Sequence, residues 1–218
     1  MQYTSDFIEL LKPGLYATKD LTHLKEYYQK HKNEINIHYS NNWALNIACE
    51  SGNFELCKWL WSLDTPESFD IHFNNDIIFR GACESGNFEL CKWLWSLDTP
   101  ESFNIHYDND VIFVFICSSG NLEFCKWFYS LDKPENFNIH TYNDNAFCAL
   151  CYFGNIELCK WLLSLDTLES FNIHSYNDRA LRHALMSGNL ELCQWLLTLD
   201  TPESFNFYIA NNEEYDYN

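Results

Sequence analysis

Cysteine and histidine are the residue types here that could carry chemistry, and both recur at a fixed interval. Cys57, Cys91, Cys125, Cys159 and Cys193 stand 34 residues apart, as do His38, His72, His106, His140 and His174. Thiolates and imidazoles ligate structural zinc, thiolates exchange disulfides, and histidine titrates near neutral pH. Cys148 and Cys151 add a C-x-x-C pair, the spacing of half a zinc site or of a redox dithiol. Trp59, Trp93, Trp127, Trp161 and Trp195 keep the same interval and could stack on bases or rest at a membrane interface.

Spacing weighs against most of this chemistry. Equivalent residues of stacked helices lie about 8–10 Å apart, beyond the limit of about 7 Å between Cα atoms for a disulfide and farther beyond a shared zinc. Neighbours along the cysteine ladder therefore do not pair, and they read as small buried hydrophobes. The histidines fail as a metal site for the same reason and read as side chains that brace loops. Only the Cys148–Cys151 region, with Cys117, Cys125 and Cys159 within a unit's distance, leaves room for a thiol- or metal-sensing role. No phosphate-binding glycine loop, nucleophile with a base, or His-Glu-x-x-His helix occurs. Neither an enzyme nor a cofactor is expected.

The interval belongs to the elements that carry these residues. Gly52, Gly86, Gly120, Gly154 and Gly188 mark five units of 34 residues, and Ala48–Phe69 repeats unchanged as Ala82–Phe103. With Phe54 at 0° and about 100° per residue, the apolar residues up to Trp61 cover an arc of roughly 220°. That is much wider than the stripe of a surface helix, so this helix packs on both sides. The segment from Trp43 to Ser51 reads as a second, shorter helix lying before it. Asn-Asp pairs such as Asn75-Asp76 suit its N-cap, and Gly52 suits the left-handed residue after it. The connector Leu63 to Asn75 reads as a polar turn and then a short extended stretch, with Phe69 and Ile71 alternating with Asp70 and His72. Leu168 replaces the turn proline in the fourth unit.

The ends are atypical. Asp20, Leu21, Leu24, Lys25, Tyr27 and Tyr28 match Asn53, Phe54, Cys57, Lys58, Leu60 and Trp61 at a spacing of 33, which predicts a capping helix from Asp20 to about His31. A short helix near Ser5 to Leu11 precedes it and ends at Pro13-Gly14. The expected organisation is an N-terminal cap (1–41), repeats over 42–75, 76–109, 110–143, 144–177 and 178–211, and an acidic tail (212–218).

Composition narrows the partners. Thirteen Lys and Arg against 31 Asp and Glu give a net charge of -18, which repels a phosphate backbone. A protein with a neutral or basic surface is the expected partner, not nucleic acid. The longest apolar run, Val111 to Cys117, is too short to span a bilayer, and the first residues, MQYTSDFIELLKPG, lack the pattern of an export signal. Ten cysteines without such a signal describe a reducing compartment. An intracellular monomer with no membrane association is expected.

The string Ala-Cys-Glu-Ser-Gly-Asn-Phe-Glu-Leu-Cys-Lys-Trp-Leu, residues 48–60, resembles the ankyrin signature. In that signature two small residues, a glycine and a polar residue lead into a second apolar helix. The resemblance covers about 42–208 and is closest to ankyrin repeat proteins of giant DNA viruses of amoebae, with their Ile-His, Asn-Asp, Ala-Cys and Lys-Trp-Leu elements. It departs from the usual pattern in unit length and in replacing the Thr-Pro-Leu-His opening by Trp43-Ala44-Leu45-Asn46 or Ile77-Ile78-Phe79-Arg80. The resemblance implies an all-α, ankyrin-type helix-pair solenoid with short structured loops. Its implied function is protein–protein interaction, here by a viral protein in the host cytoplasm or nucleus.

Comparing units within the chain marks the binding surface. Gly52, Glu55, Leu63, Asp64 and Glu67 are the same in all five units, whereas four positions of the first helix vary. They place Trp43, Asn46, Ile47 and Glu50 in the first unit, Ile77, Arg80 and Glu84 in the second, and Val111, Val114 and Phe115 in the third. Asn145 and Tyr152 follow in the fourth, and Arg179, Arg182, His183 and Met186 in the fifth. All lie within one sector of the helix, the one that lines the concave groove in ankyrin-like arrays. Self-association through the repeats is the remaining rival.

Overall fold

The computed structural model describes residues 2–11, 21–65, 69–97, 103–166 and 171–200. They form twelve α-helices and no strand. Helices α1 (Gln2–Leu11) and α2 (Thr22–His31) pack on each other, and α1 packs on the helix that follows α2. Five helix pairs follow: α3 (Tyr39–Glu50) with α4 (Phe54–Trp61), α5 (Phe73–Glu84) with α6 (Phe88–Leu97), α7 (Tyr107–Ser118) with α8 (Leu122–Tyr129), α9 (Thr141–Tyr152) with α10 (Ile156–Leu163), and α11 (Ser175–Ser187) with α12 (Leu190–Leu196). The first helices pack in chain order, α1 on α3, α3 on α5, and so on to α11, each with its own second helix beside it. The result is a helix-pair solenoid. Asp20, Pro13-Gly14, Leu168 and the acidic tail lie outside the described residues.

Each hairpin closes on the Gly-Asn pair. Gly52 has φ +65°, a conformation that costs glycine nothing and a residue with Cβ a good deal. Asn53 then caps α4, its side-chain oxygen accepting the Leu56 N–H at 3.1 Å. In later units the same asparagine also reaches back. The Asn87 amide donates to the Gly52 carbonyl at 2.7 Å, Asn155 to Gly120 at 2.9 Å and Asn189 to Gly154 at 2.8 Å. One side chain thus starts a helix and ties its unit to the one before.

The second helices bury Leu56, Cys57 and Leu60 and their counterparts. The tryptophans are half-buried and pack between units: Trp93 meets Phe54 at 5.7 Å and Trp61 at 5.8 Å of the preceding unit. Tilted and edge-on rings at this separation favour one another beyond their burial. Core packing is their role.

Two local expectations need correction. The Asn-Asp pairs do not cap the first helices: residues 74–76, 108–110, 142–144 and 176–178 all have positive φ and form a left-handed turn. Asparagine and aspartate tolerate that region better than other side chains, and no side-chain cap bond forms there. The connector is extended only briefly. Phe137 is extended (φ -87°, ψ 129°), and Ile139 and His140 then turn directly into α9. Phe69 and Ile71, with their counterparts, are buried as anchors under this bend.

Candidate functional site

The thiols are withdrawn from solvent. All ten cysteines are free and buried, and among the described residues no group of three or more His, Cys, Asp or Glu is placed to hold a metal. Within a unit, however, thiols do meet. Cys49 and Cys57 lie 3.6 Å apart at sulfur, Cys83 and Cys91 3.7 Å, and Cys151 and Cys159 3.8 Å. Reasoning from the interval between units missed these pairs, whose signal was two cysteines eight residues apart around each of the first four Gly-Asn pairs. Burial, followed by the neighbouring thiol, pushes Cys49, Cys83, Cys117 and Cys151 well above the usual thiol range. Burial raises Cys148 to about 11 against the pull of Arg179 and Arg182. Such thiols hold their protons and are poor nucleophiles.

The histidines form a repeated clamp. His106 Nδ1 bonds Asp110 at 2.6 Å and Nε2 bonds Asp132 at 3.1 Å; His140 bonds Asp144 at 2.6 Å and Asp166 at 3.3 Å. The first aspartate of each clamp sits in the left-handed turn and is buried. Its other oxygen accepts a backbone N–H from the next unit, Asp76 from Asn104, Asp110 from Asn138 and Asp144 from Asn172, at 2.7–2.8 Å. The loop-bracing role expected for histidine is therefore one part of a junction between units. Burial lowers His106 and His174, but their carboxylate partners outweigh it, and both sit above the ordinary histidine value. The side-chain amide of Asn136, then the Lys133 N–H and His106, hold Asp132 at about 2.

The predicted binding residues are dispersed in depth. Trp43, Glu50, Glu84, Tyr152, Arg182 and Met186 are exposed, and Ile77, Arg80, Val111, Phe115, Asn145, Arg179 and His183 are half-buried. Asn46, Ile47 and Val114 are buried, so they support the face and do not present it. Asn46, Arg80 and Val114 occupy equivalent positions of successive units. A short side chain there is covered, while Arg80 extends over the Tyr107 ring of the next unit at 3.9 Å. Gly81 belongs with the covered set, because a Cβ on it would stand 2.8 Å from Glu50 Cγ.

Sequence reasoning overlooked exposed aromatics at the turn tips. Tyr39, Phe73, Tyr142 and Tyr176 are 38–48% exposed, and their signal was an aromatic residue directly after Ile-His or one place later. In the later units these tips are linked. Thr141 Oγ1 donates to the Asn109 carbonyl, Ser175 Oγ to the Asn143 carbonyl at 2.9 Å, and Tyr142 Oη to Asp108 at 2.9 Å.

Residues 113–206 match the family model for ankyrin repeats, in 3 copies. These are ankyrin repeats. The match spans the third to fifth helix pairs, and the first two pairs share its interval, glycine turn and capping asparagine. No curated protein matches the chain. Ankyrin repeats are protein-interaction modules, and here the usual opening of the first helix is replaced by the left-handed turn and its clamp. No helix among the described residues is long and apolar enough to cross a membrane.

Proposed function

We propose that the solenoid binds a protein partner through its first-helix face and the adjoining turn tips, the concave side of an ankyrin array. The observation that carries this reading is where large apolar side chains meet solvent. Among the described residues all but Leu190 of those that do so belong to the first helices, their turns or the residues just after them. Such residues on a well-formed face are the usual anchors of an interface. In its finer form the reading is a viral, intracellular, monomeric protein engaging a host or viral protein. That form rests on the likeness of the sequence elements to giant-virus ankyrin proteins.

The test uses a partner recovered by affinity purification and titrated by calorimetry. Trp43→Ser combined with Tyr152→Ser is expected to weaken binding at least about tenfold, a typical result for two anchor residues. Lys58→Glu combined with Lys126→Glu, on the second helices, should leave it nearly unchanged. Greater loss from the lysine pair would move the binding surface to the outer helices.

A further inference from the structure

All three arginines of this acidic chain, Arg80, Arg179 and Arg182, lie on first helices. No described lysine does. Lys58, Lys92, Lys126 and Lys160 sit on second helices, 2.5–3.8 Å from the glutamate three residues earlier. None of the arginines forms an ion pair among the described residues. Lys25, Lys30, Lys32 and Lys133 form none either, so what sets the arginines apart is their place on the first helices.

Arg179 and Arg182 stand one turn apart on α11. The Arg179 guanidinium lies over the Tyr176 ring at 5.5 Å, and its Nε–H donates to His183 Nε2 at 3.4 Å. His183 in turn donates from Nδ1 to the Cys148 carbonyl at 3.0 Å, and Arg182 Nη2 donates to the Tyr176 carbonyl at 3.0 Å. Each guanidinium is thus oriented through one of its five donors and keeps the rest. Tyr176, beside Arg179, and Tyr152, edge-on to His183 at 5.2 Å, are both nearly half exposed. The aspartates of the same turns are engaged elsewhere: Asp178 is buried on His174, and Asp144 is buried on His140 and the Asn172 N–H. Burial, and then Arg179 and Arg182, hold His183 below the ordinary histidine value against its bond to the Cys148 carbonyl.

We infer that this end of the first-helix face receives a short acidic stretch of the protein partner, with Arg179 and Arg182 as paired carboxylate receptors beside Tyr176. The inference rests on the reading of that face as the binding surface. Arginine matches a carboxylate with two parallel hydrogen bonds, which lysine does not. The overall charge limits the length of the stretch. Screening confines a short run of carboxylates to the local field of the arginines, whereas a nucleic acid needs many phosphate contacts along its length. Glu50 and Glu84, exposed at the other end of the face, favour neutral or basic residues there.

Fluorescence anisotropy of the full chain with a labelled oligoglutamate peptide carrying one central leucine tests this. An oligolysine peptide of the same length and an oligodeoxynucleotide of equal charge serve as comparisons. The oligoglutamate should bind, more tightly than either comparison. Arg179→Ala with Arg182→Ala should lower its affinity at least about tenfold, with unchanged helical circular dichroism, and Arg179→Lys with Arg182→Lys should recover only part. NMR should show the His183 pKa rising on peptide addition. The groups facing that ring are Arg179 and Arg182 on its own helix and Tyr152 and Cys148 across α9, so a rise reports a new negative charge. No binding, equal binding by the alanine variant, or tighter binding of the oligonucleotide would overturn the inference. If the alanine variant keeps full affinity for the purified partner while the Trp43 and Tyr152 changes abolish it, the face stands and the acidic stretch falls.

Discussion

The imidazole of His106 is held by two carboxylates, one buried in the left-handed turn and one on the exposed loop after the second helix. A histidine raised by its partners contributes stability below its unfolded value, about 6.5, and that stability is lost as pH rises through the higher folded value. Asp132 is depressed to about 2, so its contribution is complete above the unfolded value of about 3.9 and is lost as pH falls through the folded one. The clamps should therefore stabilise most between about pH 4 and 6.5. Urea unfolding is expected to give a higher midpoint at pH 5.5 than at pH 8.5, and His106→Gln should reduce that difference. A higher midpoint at pH 8.5 in the unaltered chain would show that the clamps do not govern the pH dependence. In the first unit Asn42 stands in place of the buried acid, accepting the His38 Nδ1 bond at 2.7 Å, while Asp64 bonds Nε2 at 2.9 Å.

At the scale of elements, asparagine does two jobs that the sequence pattern did not separate. The residue in the Gly-Asn pair caps the second helix, and the Asn-Asp pair forms a left-handed turn, because both side chains suit caps and positive φ alike. What distinguishes them is the histidine four residues before the turn aspartate, whose ring takes the oxygen a cap would have used. The capping residues differ among themselves in a measurable way. Asn53→Ala should cost about 1 kcal/mol, the value of a cap. Asn155→Ala also strands the Gly120 carbonyl and should cost about 2 kcal/mol or more. Asn155→Asp keeps the cap oxygen and loses only the donor, so it should fall between. Equal costs for Asn53→Ala and Asn155→Ala, read from urea midpoints, would mean that the bond between units contributes nothing.

At the scale of the molecule, the stacked pairs enclose the thiols from one end to the other. Nine of the ten cysteines are at most 1% exposed, and Cys193, in the last described pair, is 7% exposed. Native labelling with a thiol reagent should reach Cys193 first. The other nine should react at least about a thousandfold more slowly than in denaturant, the protection given by an opening free energy of about 4 kcal/mol. Rapid reaction of all ten would overturn the packing described here.

The period, the hairpin with its glycine turn, the doubly packed second helix and the five-unit array were legible in the sequence. They follow from local rules: a fixed interval, the angular spread of apolar residues about a helix, and the need for glycine where φ is positive. So was the sector of the first helix that varies from unit to unit. Only the tertiary structure decided which members of that sector reach solvent. Asn46, Ile47, Gly81 and Val114 are covered, and Trp43 and Tyr152 are exposed, because burial depends on what the neighbouring unit places opposite and on the length of the side chain. It also decided that Cys49 meets Cys57 and that Asp110 binds the backbone of the following unit. Helical phase gives a direction from one axis, while such meetings depend on the distance and rotation between two axes, which no single helix encodes.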